Sequence, residues 1–287
     1  MKAITPKCAT HYLHPFDMDT NQLLGKSELV TTLEAIYQTF HQPCYLASDP
    51  LCTVYLFNDP GDREITALFA AGLAYGRVPS ILRSVKDLLE RMEGAPSQFV
   101  EKAIVRDVKR AFHGFRHRWT TADEIVETVL RVRQLRRLHG SLEAAFLDGL
   151  HDTDPTILPA LSRWVRAIKQ GKRNSLLADP EDGSACKRMC LFLRWMARSD
   201  SIDPGCWSRV SPSKLVVPLD THMHKMALRL GLTRRRQADL RTAEEITRGF
   251  RKICPEDPTR YDFALTRPGI LSSSRFGFLR TKDVPQT

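Results

Sequence analysis

In Val217-Pro-Leu-Asp-Thr-His-Met223 a carboxylate, a hydroxyl and an imidazole stand where an extended apolar stretch meets the start of a helix. Pro218 biases Val217 away from helical backbone, and Asp220 has the side chain of an N-cap. A carboxylate there accepts backbone N–H bonds and faces the positive end of the helix. The structural reading is a cap worth ~1 kcal/mol. The chemical reading is a fixed negative charge at a cleft, suited to stabilising a cation that develops during a reaction.

Lys187 is the second such residue. In the run Ser184 to Arg198 (SACKRMCLFLRWMAR), Cys186, Met189, Cys190, Leu193 and Met196 make an apolar stripe at helical spacing, with Lys187 near the helix start beside Arg188. The positive helix end and a neighbouring cation both oppose charge on that amine. An uncharged amine is the nucleophile that Schiff-base chemistry requires. The structural alternative is a solvated basic face shared with Arg188, Arg194 and Arg198. Other constellations are weaker. Cys186 and Cys190, with Cys206, His222 and His224 downstream, lack the paired Cys-x-x-Cys knuckles of a zinc site. His151-Asp152 has no partner histidines, and no Gly-rich loop is available to cradle phosphate. No cofactor or metal is called for.

The elements that must hold these residues are helical. Glu28 to Phe40 carries a 3.6-residue apolar stripe, and Asp62 to Tyr75, rich in alanine and apolar on more than one side, predicts a central helix. Helices follow over Val78 to Met92, Ser97 to Phe112, Ala122 to Leu138 (capped by Thr121 and stopped by Gly140), a short one after Ser141, and Thr156 to Lys169. Ser184 to Arg198, Thr221 to Leu230, Thr242 to Ile253 and Pro258 to Leu265 complete the set. Val54-Tyr55-Leu56 is the only strand candidate. The expectation is an all-α fold of two helical lobes with a cleft between them. One bilobal domain spans 27–270, with 62–199 as one lobe and 27–61 with 215–270 as the other. A loose arm over 1–26 and a flexible tail over 271–287 flank it.

The 287 residues carry 43 Lys+Arg against 33 Asp+Glu, a net charge of +10, which favours a polyanionic partner, nucleic acid first among them. No apolar run reaches the ~18 residues of a membrane helix. Seven cysteines show no disulfide framework, which suggests a reduced, cytoplasmic protein.

The segment VPLDTHMHKMALRLGL resembles the part of the helix-hairpin-helix DNA glycosylases that reads V-D-T-H-V, R-V, R-L-G. A wider pattern is similar to a bacterial domain-of-unknown-function family related to those enzymes. Its pieces are Glu64-Ile65, Ala74-Tyr75-Gly76-Arg77, Gly183 to Arg188, Leu193-Arg-Trp-Met196, Pro218 to His222, Asp257-Pro258 and Tyr261-Asp262-Phe263. Two features depart from the glycosylase pattern. Pro180-Glu-Asp-Gly183 stands where a Leu-Pro-Gly-Val-Gly hairpin would aim N–H groups at a DNA phosphate, and the spacer from Lys187 to Asp220 is long. The archaeal 8-oxoguanine glycosylases share a long spacer and a divergent hairpin, and are the nearest analogy.

The resemblance implies an all-α glycosylase-like fold and removal of a damaged base from double-stranded DNA, an oxidised purine such as 8-oxoguanine favoured, with Schiff-base lyase activity as a further option. In it Asp220 would stabilise the cationic sugar and Lys187 would attack it. An extruded base needs apolar or aromatic walls, for which Trp195, Trp207 and His222 are candidates. Arg188, Arg194, Arg209, Lys214 and Lys225 are candidates for phosphate contacts, with Arg234-Arg-Arg236 in support. The protein would act as a monomer near the nucleoid. The alternative is a non-catalytic nucleic-acid-binding protein that keeps the fold without the chemistry.

Overall fold

The computed structural model describes residues 25–278, with side chains over 27–271. Helix starts follow from local chemistry. Asp59 caps α2 (Pro60–Gly72) by accepting from Asp62 N, with Pro60 in the first turn. Thr121 and Glu124 form a reciprocal capping box ahead of α6 (Ala122–His139), and Gly140 ends it. The remaining helices are α1 (Lys26–Phe40), α3 (Val78–Arg91), α4 (Pro96–Lys102), α5 (Val105–Ala111), α7 (Leu142–Leu147), α8 (Leu158–Lys169), α9 (Lys187–Ala197), α10 (Thr221–Arg229), α11 (Leu240–Arg251) and α12 (Asp262–Phe278). Short 3-10 turns at Pro43–Ser48, Pro50–Leu56, Pro180–Asp182 and Pro212–Lys214 link them. The fold is all-α, relieved among the described residues by one antiparallel ribbon, β1 (Arg116–His117) and β2 (Thr120–Thr121).

The core follows the apolar stripes. Every residue of α2 from Glu64 to Gly72 is buried, as expected of a central helix, and α2 packs against α9. α12 packs against both α1 and α10. Buried apolar side chains from Leu33 to Leu265 form one cluster. No helix among the described residues is long and apolar enough to cross a membrane.

Several expectations need correcting. Val54-Tyr55-Leu56 is not a strand: Asp49 accepts from Leu51 N and Pro50 leads the first turn, so the segment closes as a 3-10 turn. The stretch from Ser97 to Phe112 is two helices. Ala103 and Ile104 take extended backbone, and Arg133 and Arg137 donate to the carbonyls of Ala103 and Glu101, satisfying the end of α4. The helix expected from Ser184 starts at Lys187, because Cys186 adopts left-handed backbone (φ 47). The helix expected from Pro258 starts at Asp262, after Asp257 accepts from Thr259 N and turns the chain. It then continues to Phe278, so the tail expected from Leu271 begins inside a helix. The N-terminal arm expected over 1–26 lies outside the described residues apart from its last two.

Candidate functional site

Two helix beginnings meet in space. Asp220 is the N-cap of α10, and its Oδ1 accepts from His222 N at 2.9 Å and Met223 N at 2.8 Å. Its other oxygen, Oδ2, is left facing outward and lies 3.5 Å from Lys187 Nζ. Lys187 is the first residue of α9. Arg188, expected to crowd the amine, points elsewhere. It donates to the Gly72 carbonyl at 2.6 Å and lies over the Tyr75 ring at 4.9 Å. Lys187 therefore rests in an ion pair, half-exposed, against a more deeply set carboxylate (35% and 17% side-chain exposure). The residue that launches α9, Cys186, holds a backbone conformation that costs a non-glycine ~1 kcal/mol or more.

Both residues line a cleft of about 1580 Å³. Ala74 to Val78 and Ile81 line one part of it, Ala185 to Arg188 and Leu191 another, and Pro218 to His222 with Asp262 and Thr266 a third. Its lining mixes apolar side chains with many polar and charged ones, among them Arg77, Lys187, Arg188, Asp220 and His222. Tyr75 is the lining residue with a phenol ring, and His222 is held against Gly269, where a β-carbon would collide with the imidazole.

Asp262 is a third ionisable group at this place. It is nearly inaccessible, and one oxygen pairs with Arg194 while Oδ1 has no hydrogen-bond partner. Burial raises its carboxyl to about 6, Arg194 opposes the rise, and the negative charge of Asp220 adds to it. Arg194 also pairs with Asp203 at 3.0 Å, and Asp203 with Arg198, so a buried chain of alternating charges runs back from the cleft along α9.

Other expected site residues are not brought here. Trp195 is fully buried and Trp207 is 2% exposed, and neither lines the cleft. Trp207 packs with Phe146 and Phe192 and donates its indole N–H to Glu64 at 2.7 Å. Helical spacing marks such residues as inward-facing without saying whether they meet a cavity or a neighbouring helix. Arg194 touches the cleft only from within the core, where two carboxylates hold it, so it is no phosphate contact. Arg209 lies by Glu143, Lys214 donates to the carbonyls of His151 and Asp152, and Lys225 is exposed on α10 away from the cleft lining. Arg188 and His222 do line it. Arg234 and Arg236 are exposed beside the edge formed by Ala238 and Asp239.

Residues 49–271 match the family described as a protein of unknown function (DUF2400), and the chain belongs to that family. It matches no curated protein. It matches no solved structure.

Proposed function

We propose that this protein is a DNA glycosylase of the helix-hairpin-helix kind, acting on a damaged base in double-stranded DNA and able to form a Schiff base through Lys187. The observation that carries this reading is the approach of Lys187 Nζ to within 3.5 Å of Asp220 Oδ2 inside a roomy cleft, each from the first turn of its own helix. The two residues are the ones that the resemblance pairs. On this reading the cleft lies between two helical lobes and receives an extruded base, an oxidised purine favoured, beside His222. Exposed Arg77, Arg234 and Arg236 then face the DNA backbone.

The chemistry uses both partners of the ion pair. As the N-glycosidic bond breaks, its electron pair leaves with the base and positive charge builds on the sugar at C1′. Asp220 exchanges its pairing with Lys187 for that charge. The lysine passes a proton to the departing base, and its free amine attacks C1′ to form a C–N bond. The new nitrogen passes a proton to O4′ as its lone pair displaces the C1′–O4′ bond, leaving an iminium that borohydride reduces to a stable amine. The turn at Pro180–Asp182 is acidic and its charges are matched by Arg166 and Lys169, so phosphate contact falls to the arginines rather than to that turn.

The test is incubation with duplexes carrying 8-oxoguanine, uracil or an abasic site, followed by borohydride. A covalent adduct that Lys187→Gln abolishes is the expected result. Base release without adduct would leave Asp220 as the sole catalytic group. No release and no adduct across a broad lesion panel, with DNA binding retained, would replace this reading with a non-catalytic nucleic-acid-binding protein.

A further inference from the structure

We propose that Trp119 is a stacking platform that receives an unpaired nucleobase at the rim of the cleft. This rests on the reading of the cleft as a DNA site, and adds a recognition point apart from Lys187 and Asp220. Of the four tryptophans, Trp164, Trp195 and Trp207 are buried, whereas Trp119 is 58% exposed. It occupies, with Arg118, the two-residue turn between β1 and β2. Arg118 is left-handed there (φ 54), a place where glycine is the unstrained choice. The turn thus holds strain while presenting a cation and an indole to solvent.

The mount is rigid. The Tyr75 hydroxyl donates to the His117 carbonyl at 2.7 Å and lies 2.6 Å from Thr120 Oγ1, while Thr120 N donates back to it at 3.2 Å. His117 is buried between Ser84 Oγ at 2.8 Å and the Tyr75 carbonyl at 3.1 Å. The Trp119 ring lies on Tyr75, centroids 4.8 Å apart and planes 15° from parallel, and the Arg118 guanidinium sits 4.9 Å from the indole centroid. Gly76 beside it holds φ 97, backbone that strains any other residue, and a β-carbon there would also press on the Arg118 side chain, 2.9 Å from Nη1.

A column therefore runs inward: Trp119, one ring outside the cleft lining, then Tyr75 on the wall, then the Arg188 guanidinium 4.9 Å from the Tyr75 centroid, one residue from Lys187. Nucleobases stack on such flat, cation-backed aromatic surfaces whatever their sequence. Arg77, Arg116 and Arg118 are exposed around it, and none of them is ion-paired with a described carboxylate, so the surroundings suit a polyanion. Removing a base from the duplex leaves its partner unpaired, and an exposed stacking face close to the extrusion site can hold one of the two.

Trp119 is the exposed tryptophan, so quenching of tryptophan emission by a stacked base reports on it. Binding of wild type, Trp119→Leu and Trp119→Phe to a fully paired duplex, and to a duplex holding one unpaired base opposite a reduced abasic site, is read from the anisotropy of a dye on the DNA, with emission quenching followed on wild type. Borohydride trapping is measured separately, at saturating DNA, on a duplex carrying an unreduced abasic site. We expect the unpaired duplex to quench wild-type emission and bind more tightly than the paired one. Trp119→Leu should lose about tenfold or more of that preference, and Trp119→Phe should keep most of it. If wild-type emission is not quenched and Trp119→Leu binds both duplexes as wild type does, the platform is wrong even where trapping succeeds. Quenching and a lost preference without any adduct would uphold the platform and overturn the glycosylase chemistry. No binding of either duplex would overturn both.

Discussion

Asp220→Asn separates the structural role of this side chain from its chemical one. The carboxylate does two things through two atoms: Oδ1 caps α10, and Oδ2 pairs with Lys187. Asparagine caps a helix about as well as aspartate, so the amide oxygen keeps both backbone N–H groups satisfied. The amide nitrogen then faces the Lys187 ammonium, donor against donor, and the ion pair is lost. That pair is partly open to solvent and is worth at most ~1 kcal/mol. In a chain of this size such a loss lowers Tm by about 2–4 °C. Asp220→Ala also strips the cap, a further ~1 kcal/mol, and should unfold a few degrees lower again. Removal of a charge that stabilises the developing sugar cation costs far more in rate, roughly 10²–10³-fold, the scale of losing one preorganised electrostatic partner. The assay is single-turnover base release at saturating enzyme beside a thermal melt of each variant. An Asn variant that releases base within tenfold of wild type would reduce Asp220 to a helix cap. An Asn variant that melts as low as the Ala variant would show that the capping argument itself is wrong.

Two further predictions concern the groups behind the cleft. Trp207→Phe removes the indole donor from the buried Glu64 carboxyl, whose ionisation burial already opposes, and should cost about 1–3 kcal/mol in urea unfolding while leaving excision by the folded protein intact. Lost excision with unchanged stability would return Trp207 to the base pocket. Asp262 goes from 3.8 in its ordinary state to about 6 when buried, so the folded protein holds this proton longer than the unfolded chain. Its contribution is fully present below about pH 4 and is lost as pH rises through 6, on the order of 3 kcal/mol in total. The stability difference between Asp262→Asn and wild type should therefore move in favour of the variant from pH 4 to pH 7. Parallel curves for the two proteins would refute the assignment.

Asp220 and the helices were legible because their signals are local. A cap, a proline before it and an apolar stripe after it act within one turn, and the same holds for Thr121 with Glu124 and for Gly140. The direction in which a helical face looks is not local. Trp195 and Trp207 have the composition of pocket walls, yet other core side chains reach them first. Arg194 has the composition of a phosphate contact, yet Asp262, far along the chain, claims it. Trp119 carries one sequence signal of its exposure: an Arg-Trp pair in a polar stretch with no apolar stripe to bury it.

The distant pairing matters for how the site is held. α9 carries Lys187 at its start and, two turns on, Arg194, which reaches Asp262 at the start of α12. α12 in turn packs on α10, whose cap is Asp220. The amine and the carboxylate are thus registered by the same three helices, through a buried ion pair at one level and backbone capping at the other. Replacing one partner of such a pair leaves the other charge stranded, which is why its removal costs more than the pair contributes. Arg194 has a second carboxylate in Asp203, so loss of Asp262 does not strand it. The geometry of Lys187 against Asp220 is therefore expected to survive Asp262→Asn and to fail in Arg194→Met, where both Asp203 and Asp262 lose their shared cation.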